Sequence, residues 1–259
     1  MNFDILAINI YPIKSFRGIS LTSALAMNAG FEFDRRWMLI DENNRFISQR
    51  EFPILAQFIT KIENNQLSVS YNGSIVSFDT DLTMVREFSA KVWDDEALVQ
   101  EINLDVSDWF SVMIGSKCKL VKLKSDASRF HFSSKLNQDI PVSLADGYPY
   151  LIIGDKSLEF LNSKLEKPVT MNQFRPNIVI KTDYPHQEDD LEIIIIGDVK
   201  FSNIKPCGRC MMVNTNQNNS IIGNEPLKTL ATYRKSGNSV NFGVNYRCIQ
   251  SGNISLKDQ

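Results

Sequence analysis

The sequence predicts a mainly β protein with a smaller share of α-helix (α+β). In the first hundred or so residues, short apolar runs alternate with turn residues, a spacing typical of small β-barrels and sandwiches. Two amphipathic segments, 106–114 and 155–165, then predict helices among further strands. This change of character divides the chain into two expected domains, a β-barrel-like domain at 1–103 and an α+β domain at 104–259.

Turn residues mark the strands of the first domain. The run 3–11 ends at Pro12, and Asn72–Gly73 is a strong signal for a two-residue hairpin turn. The DENN run at 41–44 predicts a second hairpin between apolar segments. The strands expected here are 3–11, 36–40, 45–49, 59–63, 66–71, 74–79, 87–93 and 97–102.

The second domain contains segments with helical periodicity. Segment 106–114 places its apolar residues on one face, with Asp105 or Ser107 as the N-cap candidate. Segment 155–165 is the strongest predicted helix, and 225–233 is a shorter one whose Pro226 suits a first turn. The remaining strands are expected at 118–123, 177–181, 191–196, 199–204 and 242–249, and residues 124–146 as a long polar loop.

The composition narrows the class of protein. A hydrophobic content of 43%, a charged content of 22% and a net charge of −2 describe an ordinary soluble globular protein and argue against a general nucleic-acid binder. No apolar run is long enough for a membrane span, and the N-terminus lacks the features of a signal peptide. Four cysteines in such a chain predict free thiols in a reducing cytoplasm.

The segment KPCGRC at 205–210 carries the clearest chemical signal. Arg209 directly precedes Cys210, and an adjacent fixed cation favours the thiolate, the form of cysteine that binds metals and attacks electrophiles. A CxxC pair alone is also compatible with half of a zinc site, a redox dithiol or two unrelated buried thiols. Residues elsewhere in the sequence are needed to choose between these interpretations.

Polar and cationic residues recur where the predicted strands end. Turns that converge at a domain junction commonly form small-molecule sites, and Arg and Lys there suit a phosphate. Taken singly, each residue is most simply a surface charge or a turn residue. The groups are Lys14, Ser15 and Arg17; Asp34, Arg35 and Arg36; Arg175, Pro176 and Asn177; Gly208, Arg209 and Cys210; and Gly243, Val244 and Asn245.

Six ordered motifs give these residues a common context. Together they resemble MOSC-domain proteins, and more closely the molybdenum enzymes that include the amidoxime-reducing component and its bacterial N-hydroxylated-base reductase relatives. The resemblance spans nearly the whole chain and implies an N-terminal MOSC β-barrel domain followed by a catalytic MOSC β-barrel domain. The motifs are YPIKS (11–15), DRRW (34–37), FRPNIVI (174–180), IGDV (196–199), KPCGRC (205–210) and FGVN (242–245).

The resemblance implies a molybdenum cofactor of the molybdopterin type, with Cys210 as both the metal ligand and the catalytic residue. A soft thiolate is a suitable ligand for such a metal, and burial beside Arg209 would keep it deprotonated. Pyridoxal phosphate binding is left open as a second cofactor interpretation. The implied cofactor contacts are Lys14, Ser15, Arg35, Asp146, Gly147, Tyr148, Arg175, Asn177, Gly208, Arg209 and Asn245.

The implied activity is the reduction of small N-hydroxylated compounds such as amidoximes, hydroxylamines and N-hydroxylated nucleobases. Because no iron–sulfur cysteine cluster follows before Gln259, we expect a separate electron donor of the ferredoxin, flavoprotein or cytochrome b5 type. A monomer without nucleic-acid or membrane partners is expected. The alternative function is a non-catalytic cofactor-binding protein, or a sulfur carrier with a persulfide on Cys210.

Other residues receive structural interpretations. Cys118 and Cys248 are expected in the core, and Cys207 as a buried thiol near the ligand. His131 and His186 are expected in solvated loops, although His131 could reach a substrate opening. Where the family has a Thr-Thr-Val-Asp-Pro run, this chain has Val-Asn-Thr-Asn-Gln at 213–217, which leaves the structure of that loop open.

Overall fold

The computed structural model describes residues 3–82, 86–124 and 129–256, and in these ranges the mainly β prediction is confirmed. The helices are α1 (Leu104–Ile114), α2 (Asp155–Asn162) and α3 (Leu227–Tyr233). The strands are β1 (Ile5–Ile10), β2 (Ile19–Leu21), β3 (Ser23–Met27), β4 (Gly30–Phe31), β5 (Trp37–Ile40), β6 (Ile59–Glu63), β7 (Gln66–Tyr71), β8 (Ser74–Asp79), β9 (Glu87–Val92), β10 (Asp95–Glu101), β11 (Lys119–Leu123), β12 (Arg129–Ser133), β13 (Gln138–Val142), β14 (Tyr150–Gly154), β15 (Ile178–Ile180), β16 (Ile193–Ile196), β17 (Val199–Arg209), β18 (Lys235–Ser236), β19 (Ser239–Gln250) and β20 (Gly252–Ser255).

The largest sheet combines strands from both parts of the chain. Its order is β16-β17-β19-β14-β15-β1-β2, with β18 paired to β19. Strand β1 pairs antiparallel with β15, which runs parallel to β14. The first two strands of the chain are therefore built into a sheet whose other strands begin at Tyr150 or later.

Four smaller sheets complete the fold. They have the orders β5-β11-β10-β9, β6-β7-β8, β20-β3-β4 and β12-β13. In the part of the chain that the structure describes, these pairings follow open paths, so the closed barrels expected from the sequence are not seen. The division into domains at residue 103 stays a prediction.

The core fixes the turns that carry the predicted site. Ile13 and Phe16 are fully buried on either side of Lys14 and Ser15, and Phe16 packs against the ring of Phe58 at 5.0 Å. Burying one such side chain stabilises a fold by about 1.5–3 kcal/mol. The turn after β1 is therefore held from both ends.

The hairpin β12–β13 corrects the prediction of an irregular loop at 124–146. Its alternation is inverted: Arg129 and Ser133 are buried, whereas Phe130 and Phe132 are 51% and 57% exposed. The buried guanidinium of Arg129 donates to the carbonyls of Ser143 and Ala145, which satisfies a charge that burial would otherwise make costly. Because its buried residues are polar and its exposed residues are apolar, this hairpin resembles a loop when only hydrophobicity is considered. Residues 125–128 of that segment lie outside the described residues.

The N-cap of helix α1 is also corrected. Asn103, and neither Asp105 nor Ser107, caps it by accepting a hydrogen bond from the Asp105 backbone N–H at 2.8 Å. The Ser107 hydroxyl instead accepts from the Leu120 backbone N–H at 3.1 Å. Helix α1 therefore starts two residues before the predicted segment.

Three further boundaries differ from the predictions. Residues 45–49 form no regular strand; they meet β5 through the bridge Ile40–Phe46 and a hydrogen bond from the Ile47 backbone N–H to the Leu39 carbonyl at 2.8 Å. Helix α2 ends at Asn162, before Leu165. Strand β17 runs on to Arg209, so it includes most of the KPCGRC motif.

In the described ranges, no helix combines the length and the apolar character that crossing a membrane requires.

Candidate functional site

A cleft of about 820 Å³ opens where the ends of several strands meet. Its lining includes every residue predicted to hold the metal or the cofactor, although these residues are scattered over more than two hundred positions of the chain. Their roles toward a ligand stay predictions. The predicted residues that line it are Lys14, Ser15, Arg35, Asp146, Gly147, Tyr148, Arg175, Asn177, Gly208, Arg209, Cys210 and Asn245.

A buried carboxylate organises one wall of the cleft. Asp34 is 1% exposed and accepts hydrogen bonds from the Tyr11 backbone N–H at 2.8 Å, Arg35 Nη1 at 2.5 Å and Asn177 Nδ2 at 3.1 Å. Asn177 Oδ1 in turn accepts from Arg35 Nη1 at 3.0 Å and from the Leu151 backbone N–H at 3.2 Å. The Asn177 amide is thus engaged within the protein, where it positions Arg35.

Two arginines lie against Tyr11. The guanidinium carbons of Arg35 and Arg175 are each 4.3 Å from the centroid of its ring. Burial raises the pKa of the Tyr11 hydroxyl to about 12 and lowers the pKa of Arg175 to about 10. Arg175 therefore stays charged at neutral pH, and Asp34 and the electron-rich face of the ring reduce the repulsion between the two cations.

The backbone is left-handed at three of the predicted contacts. Ser15, Arg35 and Arg175 have φ angles of 70°, 50° and 55°. Such a conformation costs a residue other than glycine about 1–2 kcal/mol. Strain of this kind persists where the surrounding packing enforces it, and it concentrates at functional sites.

Lys14 and Asp146 form an ion pair at another wall. Lys14 Nζ donates to Asp146 Oδ1 at 2.5 Å and to the Leu144 carbonyl at 2.9 Å, and Trp93 Nε1 donates to the same carboxylate oxygen at 3.0 Å. Burial lowers the pKa of Lys14, and Asp146 opposes that effect. Burial in the cleft raises the pKa of Asp146. Lys14 and Trp93 lower it by a larger amount, so the pKa of Asp146 lies below its ordinary value. Asp146 is therefore ionised at neutral pH.

The cation at the sulfur of Cys210 is Arg50, which the sequence analysis missed. Arg50 Nη2 lies 3.1 Å from the sulfur, and Cys210 is exposed, not buried as expected. Arg209 instead donates from Nε to the Phe242 carbonyl at 2.8 Å and from Nη1 to the Phe174 carbonyl at 3.1 Å. Because successive side chains of an extended chain point to opposite faces, sequence adjacency did not place Arg209 at the sulfur.

The strand geometry also separates the two thiols of the CxxC pair. Cys207 lies within β17 and Cys210 follows it in extended backbone, so their Cα atoms are about 10 Å apart at the rise of a strand. A disulfide needs less than about 7 Å, which excludes a redox dithiol in this conformation. Cys118 and Cys248 are buried as predicted, whereas Cys207, also expected to be buried, is only partly buried. Among the described residues, no three or more His, Cys, Asp or Glu side chains gather into a metal-binding group, which leaves the zinc interpretation without support.

Both histidines differ from the prediction of solvated loop residues. His131 lies in β12 and lines the cleft, with its ring 5.1 Å from that of Tyr148. His186 packs its ring against Phe160 and Tyr233, and both ring nitrogens are buried without a hydrogen-bond partner among the described residues. Burial, reinforced by nearby Arg234, lowers the pKa of His186 to about 4.

The loop that departs from the family pattern is ordered by amide side chains. Asn214 Oδ1 accepts the first backbone N–H of α3 at 3.0 Å, and Asn216 Oδ1 accepts two backbone N–H groups that follow it. Gln217 and Gln49 exchange hydrogen bonds at 3.0 and 3.3 Å. Amide side chains therefore provide the turn and cap contacts of this loop.

The charge of the cleft suits an anion. Of its described lining residues, six are Lys or Arg and one is a carboxylate, although the whole chain has a net charge of −2. Arg209 Nη2 is buried without a hydrogen-bond partner among the described residues. A phosphate-bearing cofactor whose metal takes one thiolate ligand needs such cations and an exposed sulfur, so the residues fit a molybdenum cofactor. The cations are Lys14, Arg35, Arg50, Arg175, Lys205 and Arg209.

Comparison with known proteins identifies the class. Residues 2–117 match the MOSC N-terminal beta barrel domain, and residues 139–259 match the MOSC domain. The chain therefore belongs to the family of MOSC-domain proteins that also carry the N-terminal beta barrel domain.

Named relatives cover most of the chain. The rat mitochondrial amidoxime reducing component 2 is 30% identical over 275 residues, which are 96% of this chain and 80% of that protein. The mitochondrial amidoxime-reducing component 1 of Xenopus laevis is 28% identical, with 96% and 79% covered. The molybdenum cofactor sulfurase of rice is 28% identical over 95% of this chain, which spans only 33% of that protein.

Proposed function

We propose that this protein binds a molybdenum cofactor through Cys210 and reduces N-hydroxylated compounds. The observation that carries the proposal is the exposed Cys210 sulfur in a cleft lined by six cations and one carboxylate among the described residues. The relatives named for amidoxime reduction support the reaction class. The cofactor would supply the oxygen-abstracting, two-electron chemistry that no protein side chain provides.

The chain's own residues would bind and orient the cofactor. Arg175 and Arg35 would hold its phosphate, since both guanidinium groups lie in the cleft against the Tyr11 ring. Lys14 would add a third cation, held by Asp146. Cys210 would supply the thiolate ligand of the metal.

The proposed reaction also defines the partner. Converting an N–OH group to N–H and water consumes two electrons and two protons. We infer that a separate ferredoxin, flavoprotein or cytochrome b5-type protein delivers the electrons. The cleft opening would admit small N-hydroxylated substrates.

Sulfur transfer is a second candidate function. The Cys210 sulfur is exposed, and one relative is a molybdenum cofactor sulfurase. In that function a second sulfur atom bound to Cys210 would be transferred to an acceptor, and no metal would be retained. Bound molybdenum and cyanide-releasable sulfur separate the two candidates.

Replacing the ligand thiol tests the proposal. We expect Cys210→Ala, produced in a host that makes the cofactor, to lose bound molybdenum by at least about tenfold, because the metal loses its protein ligand. Cys207→Ala is the matched control, since this thiol lines the same cleft and lies in β17, just before Cys210. It should retain most of the metal. Elemental analysis and amidoxime reduction by a reduced viologen dye are the measurements.

Two results would contradict the proposal. Full molybdenum and full activity in Cys210→Ala would disprove the ligand assignment. Wild-type protein with cyanide-releasable sulfur on Cys210, but with neither molybdenum nor activity, would establish the sulfur carrier instead.

A further inference from the structure

Arg50 is one of the six cations that line the cleft, and it contacts the Cys210 sulfur. Its Nη2 contacts the Cys210 sulfur at 3.1 Å, and its guanidinium carbon is 4.6 Å from the centroid of the Trp93 ring. A guanidinium stacked on an indole keeps its planar fork in one orientation. The cation is therefore held on the aromatic ring while it points a donor at the sulfur.

Trp93 is itself fixed in an uncommon conformation. It lies at the tip of the hairpin between β9 and β10 with a φ of 58°, which is rare for a bulky residue. Its ring nitrogen donates to Asp146, and its ring meets the ring of Phe46 at 5.0 Å. Trp93 as a whole is nevertheless 48% exposed. The surrounding contacts thus hold a large, half-exposed aromatic side chain over the cleft at a cost in backbone strain.

The backbone that carries Arg50 is anchored as well. The neighbouring residue Gln49 is fully buried, and its Nε2 donates to the Ser15 carbonyl at 2.6 Å and to Gln217 at 3.3 Å. These bonds connect the Arg50 turn to the turn after β1 and to the loop that follows Cys210. The backbone next to Arg50 is therefore held in place relative to the segment that carries Cys210.

We propose that Arg50 is a positioning residue: it holds the Cys210 sulfur and places a fixed positive charge where an anionic reactant approaches that sulfur, and Trp93 keeps Arg50 in place. Donors that contact a metal-binding side chain commonly orient it in this way. The inference rests on Cys210 being the reactive sulfur of the proposed function. It requires no bound metal, so it can be tested separately.

The test compares two alkylating reagents on the full chain, purified from a host strain that cannot make the cofactor. In both reactions the thiolate sulfur forms a bond to the CH2 carbon while the carbon–iodine bond breaks and iodide leaves. Iodoacetate is an anion and iodoacetamide is neutral. Because both reagents attack the same thiolate, the ratio of their rates at Cys210 cancels the thiolate fraction and reports the local charge. Peptide mass spectrometry distinguishes Cys210 from Cys207.

Arg50→Met should lower the ratio of the iodoacetate rate to the iodoacetamide rate by about fivefold. A unit charge about 4 Å away changes the energy of a charged reactant by about 1 kcal/mol even in water, and this energy corresponds to that change in rate. Lys205→Met is the matched control. It removes the same charge from the same cleft, but the Lys205 ammonium lies over Tyr148, 5.2 Å from the ring centroid. The ratio in that variant should stay close to the wild-type ratio.

Trp93→Leu tests the second half of the inference. It keeps an apolar wall but removes the stacking surface, so the ratio should fall part of the way toward that of Arg50→Met. An unchanged ratio in a folded Arg50→Met protein overturns the role of Arg50. A wild-type ratio in Trp93→Leu alone overturns the role of Trp93. If the protein lacks molybdenum even when it is made in a host that supplies the cofactor, but shows the Arg50 effect, the proposed function is refuted and this inference stands.

Discussion

At the scale of single residues, the carboxylate of Asp34 determines whether the cationic wall can exist. It is the acceptor shared by Arg35, Asn177 and the Tyr11 backbone. Removing one partner of a buried charge network leaves the other partners desolvated and unpaired. The wall that is proposed to bind a phosphate therefore depends on a residue that is too deeply buried to contact the ligand.

Asp34→Ala should destabilise the fold by about 3 kcal/mol or more, because the Arg35 guanidinium loses the buried carboxylate that balances its charge. Urea unfolding followed by circular dichroism measures this loss. Asp139→Ala is the control, since Asp139 is an exposed carboxylate of β13 and its removal should change stability by no more than about 0.5 kcal/mol. Equal losses in the two variants would show that the Asp34 network is not important for stability.

At the scale of elements, the approach of β14 to β19 controls the part of the sheet that carries Asn245. Gly243 has a φ of 71°, and a Cβ atom there would lie 2.5 Å from Ile153 Cγ1 and 3.0 Å from the Ile152 carbonyl oxygen. Because the nearby oxygen belongs to the backbone, it cannot move aside alone. The two strands can pair this closely only with glycine at this position.

Two glycine substitutions separate the close approach from the backbone strain. Gly237→Ala should cost about 1 kcal/mol, because its φ of 57° is left-handed but no atom lies within 4 Å of the new methyl group. Gly243→Ala combines the same strain with steric overlap and should cost about 3 kcal/mol or more. Thermal or urea unfolding compares them, and similar losses would mean that β14 and β19 can separate easily.

Several elements with a strong local signal were predicted, and short strands without one were missed. The hairpin at Asn72–Gly73 and the helix α2 follow from turn chemistry and periodicity. The short strands β2, β3 and β4 have no such signal. Strand β3 pairs with β20 at the far end of the chain, whereas β2 and β4 pair with the nearby strands β1 and β3. The inverted hairpin β12–β13 conceals its buried residues behind polar identities.

The cleft residues were found through ordered motifs, which do not include every residue at the sulfur. Arg50 lies in a turn and Trp93 at a hairpin tip, both outside those motifs. Their meeting with Cys210 is a tertiary contact between segments separated by 160 positions for Arg50. No spacing rule within one segment could have placed them together.

At the scale of the whole molecule, buried titratable groups make stability depend on pH. His186 faces the rings of Phe160, Tyr233 and Phe242, with Arg234 nearby, and burial lowers its pKa from 6.5 to about 4. Between these two values the unfolded chain binds a proton that the folded protein excludes. The free energy of unfolding contributed by His186 therefore falls as the pH falls through this range.

His186→Phe should remove this dependence. Relative to that variant, the wild-type protein should lose about 1 to 2 kcal/mol of stability between pH 7 and pH 5, as measured by urea unfolding at each pH. Glu188 and Asp189, whose pKa values burial raises, contribute with the opposite sign. Both remain in the variant, so the difference isolates His186. Parallel pH profiles would show that the imidazole is protonated without cost in the folded state.

The pairing of β1 with β15 has a consequence for the order in which the protein matures on the ribosome. Asn9 donates to the Pro176 carbonyl across 167 positions of the chain. At a synthesis rate of about 5–20 residues per second, the first strand waits roughly 10–30 seconds for its partner to be made. During that interval its unpaired edge is open to chaperones or to a neighbouring nascent chain. Slowing translation before residue 176 should therefore reduce the yield of folded protein.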